Sequence, residues 1–307
     1  MTHIPDQIKS DIRTAKRLEY WTIGWQASII VVMFLVMGAS QAMKSAWAED
    51  LLGLAPATVF LIALHFEKKA PTRQFPYGFS RANSIAFLVS ATTLMLMGAY
   101  LIYDSSTKLI QQEHPTIGPV HLFGKDIWLG WAMVAALIYS VVPPIILGRL
   151  KQPVAKRMHD KVLHTDALMQ KADWMTGLAA AAGVIGVGFG LWWADSLAAL
   201  VIAVDIVRDG WNAFRIALAE LADGAPRALD TNEIADDASA LKQRLEEQFP
   251  EGHVRMRESG RLIMAEIADA KPGNDVSLER LWPGDRKTRW RLGAVSFLPE
   301  RARNNSQ

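Results

Sequence analysis

The sequence has no cysteine in its 307 residues, so neither a disulfide nor a thiolate metal site can form. It also lacks a strong charge of either sign. Lys and Arg number 33 against 31 Asp and Glu, a formal net charge of +2, which argues for neither nucleic acid nor an acidic partner. The first 18 residues, MTHIPDQIKSDIRTAKRL, lack the apolar core of a cleavable signal peptide, and the first hydrophobic segment is therefore read as permanent. No internal repeat or low-complexity stretch is visible. Hydrophobic residues are plentiful: they make up half of the chain, and the mean hydropathy is positive. That composition points to a membrane protein.

A spanning helix needs about 20 mostly apolar residues. Six segments meet or approach this: 20–39, 44–65, 82–105, 127–148, 165–192 and 195–218. Lys and Arg fall unevenly between them. Lys9, Arg13, Lys16, Arg17, Lys68, Lys69, Arg73, Arg81, Arg149, Lys151, Lys156, Arg157 and Lys161 lie on one side, against Lys44, Lys108 and Lys125 on the other. This bias places both termini in the cytoplasm. The expected organisation is a cytoplasmic segment (1–18), a six-helix membrane domain (19–222) and a cytoplasmic domain (223–307). In the last part, TNEIADDASALKQRLEEQF reads as an amphipathic helix through Ile234, Ala238, Leu241 and Leu245. HVRMRES and RLIMAEIADA flank Gly260 as a hairpin, DVSLERLWPG is a short helix and WRLGAVSFLPE a last strand. The order αββαβ predicts a small α+β domain.

Ionisable residues in spanning helices are costly and are functional candidates by default. Those here are acidic: Glu49 and Asp50 in the second segment, Asp166 and Asp173 in the fifth, Asp205 and Asp209 in the sixth. Asp166 and Asp173 are seven residues apart and fall within about 20° on a helix, with Met169 and Gln170 between them. Lys171 points elsewhere, and the Gly- and Ala-rich remainder of that segment permits close helix packing. Glu49 and Asp50 diverge by about 100°, so one of them faces the fifth segment. Pro56 frees a backbone carbonyl nearby. Structural readings stand beside these: Asp166 as a helix cap, Asp195 as the N-cap of the sixth helix, Asp209 paired with Arg208 or Arg215, His65 as an interfacial residue. His164, at the mouth of the fifth helix, can be a ligand, a charge partner or a plain loop residue.

Phe75-Pro76-Tyr77-Gly78 with Arg81, the stretch TDALMQKADWMTGLAAAAG and the stretch WWADSLAALVIAVDI carry a resemblance. Together with six spans and a cytoplasmic tail, the chain resembles the cation diffusion facilitators, which export divalent metals in exchange for protons. The resemblance implies a homodimer in a bacterial inner membrane, a ferredoxin-like tail and an alternating-access antiporter, not an enzyme. Its partners are a divalent metal cation (Zn, Mn, Fe or Co) as transported substrate, protons and the lipid bilayer, with no nucleic acid. The family's four ligands, an acid pair spaced by four on helix 2 and a His or Asp plus Asp pair on helix 5, transfer only in part. Asp173 matches the last, Met169 replaces the third, and counting back from Tyr77-Gly78 puts Glu49 at the first and Gly53 at the second, while a small shift uses Asp50. The candidate metal residues are thus Glu49, Asp50, Asp173, Met169, Asp166 and His164. An oxygen-rich set leans toward Mn, Fe or Mg, and engagement of Met169 toward a softer ion. The rival expectation is a non-transporting membrane metal sensor or scaffold with a degenerate site. A carrier of organic cations is a third reading.

Overall fold

The computed structural model describes residues 4–36, 41–112, 119–122, 125–270 and 278–298. Six long helices come first: α1 (Asp6–Val36), α2 (Gln41–Glu67), α3 (Arg81–Gln111), α4 (Leu129–Met158), α5 (Lys161–Gly188) and α6 (Ala194–Leu221). Among the described residues four are long and apolar enough to cross a membrane, over Asp6–Leu35, Trp47–Glu67, Arg81–Gln111 and Trp131–Met158. The first expected segment runs past residue 36, and that portion lies outside the described residues. Helix α1 begins at Asp6, within the polar start of the chain. Helix α6 begins at Ala194 with Trp193 in the cap position, so Asp195 is not its N-cap. Between α3 and α4 the chain adds an antiparallel hairpin, β1 (Pro119–Leu122) with β2 (Lys125–Trp128), which the hydropathy pattern does not signal.

The bundle is apolar outside as well as inside. Large apolar side chains stay exposed on its outer surface: Leu35 on α1, Ile62 on α2, Leu96 on α3, Ile138 on α4, Ile185 on α5 and Val201 on α6. An exterior of this kind is suited to lipid tails as its solvent and not to water. Inside, α3 packs along α6, α4 along α5, and α1 against both α2 and α4. The α3–α6 contact is close because Gly210 has no side chain: a Cβ there would lie 2.6 Å from the Met95 Cα.

The C-terminal part contains α7 (Asp236–Gln248), β3 (His253–Ser259), β4 (Leu262–Ala268), the single turn α8 (Leu278–Leu281) and β5 (Leu292–Leu298). The first residues of DVSLERLWPG lie outside the described set. The sheet order is β3-β4-β5, antiparallel between β3 and β4 and parallel between β4 and β5. Ala238, Leu241 and Leu245 of α7 bury against Ile263, Ala265 and Ile267 of β4. Ile234 departs from the expected stripe. It precedes α7, forms a bridge with Arg227 and is half exposed.

This domain docks by the tip of its β3–β4 hairpin. Gly260 adopts φ +62°, and a Cβ on it would lie 2.6 Å from the Ser80 carbonyl oxygen at the start of α3, so glycine meets both requirements of the turn. Its N–H donates to Ser84 Oγ at 3.0 Å. Beside it Arg261 reaches Asp160 at 2.6 Å and Glu67 at 2.8 Å. Lys161 bridges Glu220, at 3.1 Å, and Glu258, and Glu258 also meets Arg291 at 3.4 Å. Burial pushes the Glu258 carboxyl up, against the pull of Lys161 and Arg291.

His159, in the α4–α5 connection, is held neutral. Burial lowers it from 6.5 to about 4, and the nearby Arg291 and Lys161 charges add to the effect. Because its folded value is depressed, the unfolded chain binds the extra proton between these limits. The stability it contributes is therefore present above 6.5 and lost as the pH falls toward 4. Thermal melts of His159→Gln across that range are expected to show a shallower acid loss than wild type. Parallel curves would contradict this assignment.

Candidate functional site

Helices α1, α2 and α5 meet around Gly53. A Cβ on Gly53 would lie 3.2 Å from Gln26 Nε2 and 3.4 and 3.7 Å from the two carboxylate oxygens of Asp173. Gln26 Nε2 in turn donates to the Asp50 carbonyl at 3.0 Å and to Asp50 Oδ1 at 3.1 Å. One amide thus lies between two carboxylates from different helices, and the missing side chain at position 53 leaves the space between them. Asp173 Oδ2 is buried without a hydrogen-bond partner. A buried, unsatisfied carboxylate oxygen is costly, and it demands a proton, a water or a cation. Glu49 is buried one residue from Asp50, and both acids lie close enough to Asp173 to act on its charge. The arrangement offers hard oxygen donors suited to a divalent cation that keeps part of its water shell. Among the described residues no three His, Asp or Glu side chains already converge as a finished cage.

The remaining candidates lie elsewhere. Met169 does not share the acid stripe. Its side chain is fully buried among Leu94, Met97 and Leu101 of α3 and Ala203 and Ile206 of α6, an apolar cluster. Asp166 does not cap α5, which begins at Lys161, and it does not reach the Gly53 space. It pairs with Lys151, which also donates to Glu19 at 3.0 Å. His164 is buried but opens on a different cleft, of about 280 Å³, lined by Lys156, Lys171, Asp209 and Asp230 among others. Asp209 and Asp205 pair with Lys171 at 3.4 and 2.7 Å, where pairing with Arg208 or Arg215 was expected for Asp209. Gln26 carries no charge that would mark it in the sequence. Its one signal is a lone amide inside an apolar run. Lys151, one of the charges between the hydrophobic segments, lies within α4 and is fully buried.

Residues 26–222 match the model of the cation efflux transmembrane domain, well over half of the chain. The chain belongs to the cation efflux family, the cation diffusion facilitators. It is 23% identical to the manganese efflux system protein MneS of Bacillus subtilis over 72% of each chain. It is 27% identical to a probable cation efflux system protein of Mycobacterium tuberculosis over 87% of this chain and 75% of that one. It is 21% identical to the zinc transporter ZitB of Yersinia pestis over 69% and 66%. As a cation efflux protein it is an integral membrane transporter of metal cations and not an enzyme. Two of the positions carried over by the resemblance, 53 and 173, are direct neighbours across the α2–α5 contact in this chain, and position 53 is a glycine.

Proposed function

We propose that the chain exports a divalent metal ion in exchange for protons, by alternating access through six spans with both termini in the cytoplasm of a bacterial inner membrane. The observation that carries this reading is the convergence of Asp50, Gln26 and Asp173 on the space beside Gly53. The cargo is held there by Asp173 and Asp50, with Glu49 close by and the Gln26 amide orienting Asp50. Asp166, Met169 and His164 are not ligands in this reading. Metal and protons compete for the same carboxylates, because a carboxylate must deprotonate to bind metal. That competition couples the two flows. An all-oxygen set without a thiolate or histidine favours Mn over Zn, in keeping with the name of the manganese relative. Helices α5 and α6, with 28 residues each and apolar outer faces, supply the fifth and sixth spans. The αββαβ order of the tail supports a ferredoxin-like domain that pairs two copies in a homodimer.

The test is flux into proteoliposomes carrying an imposed pH gradient, with Mn, Zn, Fe(II) and Co compared in parallel. Mn uptake that follows the proton gradient and exceeds Zn uptake is the expected result. Saturable metal binding by folded protein without flux of any of these ions would favour the sensor or scaffold reading.

A further inference from the structure

Glu19 of α1, Lys151 of α4 and Asp166 of α5 are all fully buried and meet inside the bundle. Lys151 Nζ donates to Glu19 Oε2 at 3.0 Å and to Asp166 Oδ2. The second oxygen of each carboxylate, Glu19 Oε1 and Asp166 Oδ1, is buried with no partner. Both carboxyl groups meet the same ammonium, so each lies close enough to act on the charge of the other. Two carboxylates against one ammonium leave one negative charge uncompensated in a water-poor core, a situation proteins avoid. A single proton cures both defects. It neutralises the excess charge and turns two mutually repelling acceptors into a donor–acceptor pair.

We infer that Glu19 and Asp166, fixed by Lys151, form a proton-carrying site separate from the metal-binding carboxylates. It takes up one proton when the metal leaves and gives it up when the metal binds. The inference rests on the proton-exchange reading above and adds a place for a proton to it. Coupling follows from position. Asp166 and Asp173 stand on one helix, seven residues or about 10 Å apart along its axis, and Asp166 and Lys151 both act on the charge at Asp173. A divalent cation at Asp173 therefore repels a proton at Asp166. The other charged groups that bear on Asp173 are Asp50 and Glu49 of α2. From α3 and α6 the groups packed on α5 near Met169 are apolar; along α1 the buried polar residues that follow Glu19, Thr22 and Gln26, are neutral, and Lys16, one turn before it, lies over the Tyr20 ring. Lys151 is the cation that bears on both Glu19 and Asp173.

The test counts protons. Purified full-length protein in detergent is titrated with Mn and with Zn in weak buffer containing a pH indicator, and metal affinity is measured by equilibrium dialysis across a pH series. Glu19→Gln keeps the size of the side chain and the Lys151–Asp166 pair. It is expected to bind metal saturably but to release about one proton fewer per ion than wild type, with a correspondingly shallower slope of log Kd against pH. Asp166→Asn gives the same deficit from the other carboxyl and serves if the first variant fails to fold. A purely structural triad would alter stability and leave the proton count unchanged. Equal proton release from wild type and from whichever variant folds would overturn the inference and leave proton exchange standing. Wild type that binds metal and releases no proton would overturn the proton-exchange reading, and this inference with it.

Discussion

Asp173→Asn is expected to abolish saturable metal binding and metal flux, with a loss in affinity greater than about a hundredfold. Loss of an outer-shell partner of a metal ligand already costs about 10–100-fold, and Asp173 is proposed here as a direct ligand of the cargo. Asparagine keeps the shape and one oxygen but removes the negative charge, so the fold is preserved while the site loses the group that offsets a divalent charge. Its partner across the space is Gln26, which is neutral, and position 53 has no side chain to compensate. The contrast that makes the result specific is Asp205→Asn. Asp205 is also an acid on a long helix, but it is half exposed and pairs with Lys171 at the bundle surface. Exposed pairs of that kind contribute about 0.2–1 kcal/mol. Dialysis with Mn and Zn should therefore show Asp205→Asn within severalfold of wild type and Asp173→Asn without saturable binding. Similar affinities for the two variants would remove Asp173 from the site.

The sequence and the structure agree where a single physical property decides the outcome, and they diverge where direction within a crowded interior decides it. Lipid selects apolar side chains on the outer faces, so residues such as Leu35, Ile138 and Val201 mark their helices by hydropathy alone. The tail hairpin is legible for a similar reason, because alternation brackets Gly260 and only glycine suits its turn. Asp173 stands out as an acid deep in an apolar run. Met169 shows the limit. On a helix it lies only about 40–60° from the two aspartates, which is near enough to count as one stripe. Helix α5, however, is packed by α2, α3, α4 and α6, and that small rotation moves a side chain from one neighbour to the next. His164, two positions before Asp166, is rotated by about 200° and opens on the opposite side. Lys151 was hidden by its surroundings. Arg149 and Lys151 read as a loop, and the positive-inside rule counts charges without asking whether one is paired inside the protein.

That buried lysine carries the second large effect. Lys151→Met is expected to destabilise the folded protein by about 3–5 kcal/mol, the range found when one partner of a buried ion pair is removed and the other is stranded. Here two carboxylates are stranded, Glu19 and Asp166, each fully buried. The loss is limited because either group can take up a proton, so the penalty shrinks in acid and grows toward neutral pH. The triple variant Glu19→Gln, Lys151→Met, Asp166→Asn removes all three charges with similar volumes, and it is expected to recover most of the lost stability, since replacing a whole buried ionic group is often neutral or stabilising. Non-additivity of this sign identifies a coupled cluster. Unfolding in mild detergent, followed by helical circular dichroism at two pH values, measures it. If the triple variant is as unstable as Lys151→Met, the lysine acts by packing. If it recovers stability yet releases about one proton fewer per metal ion than wild type, then the charges serve proton exchange and not the fold.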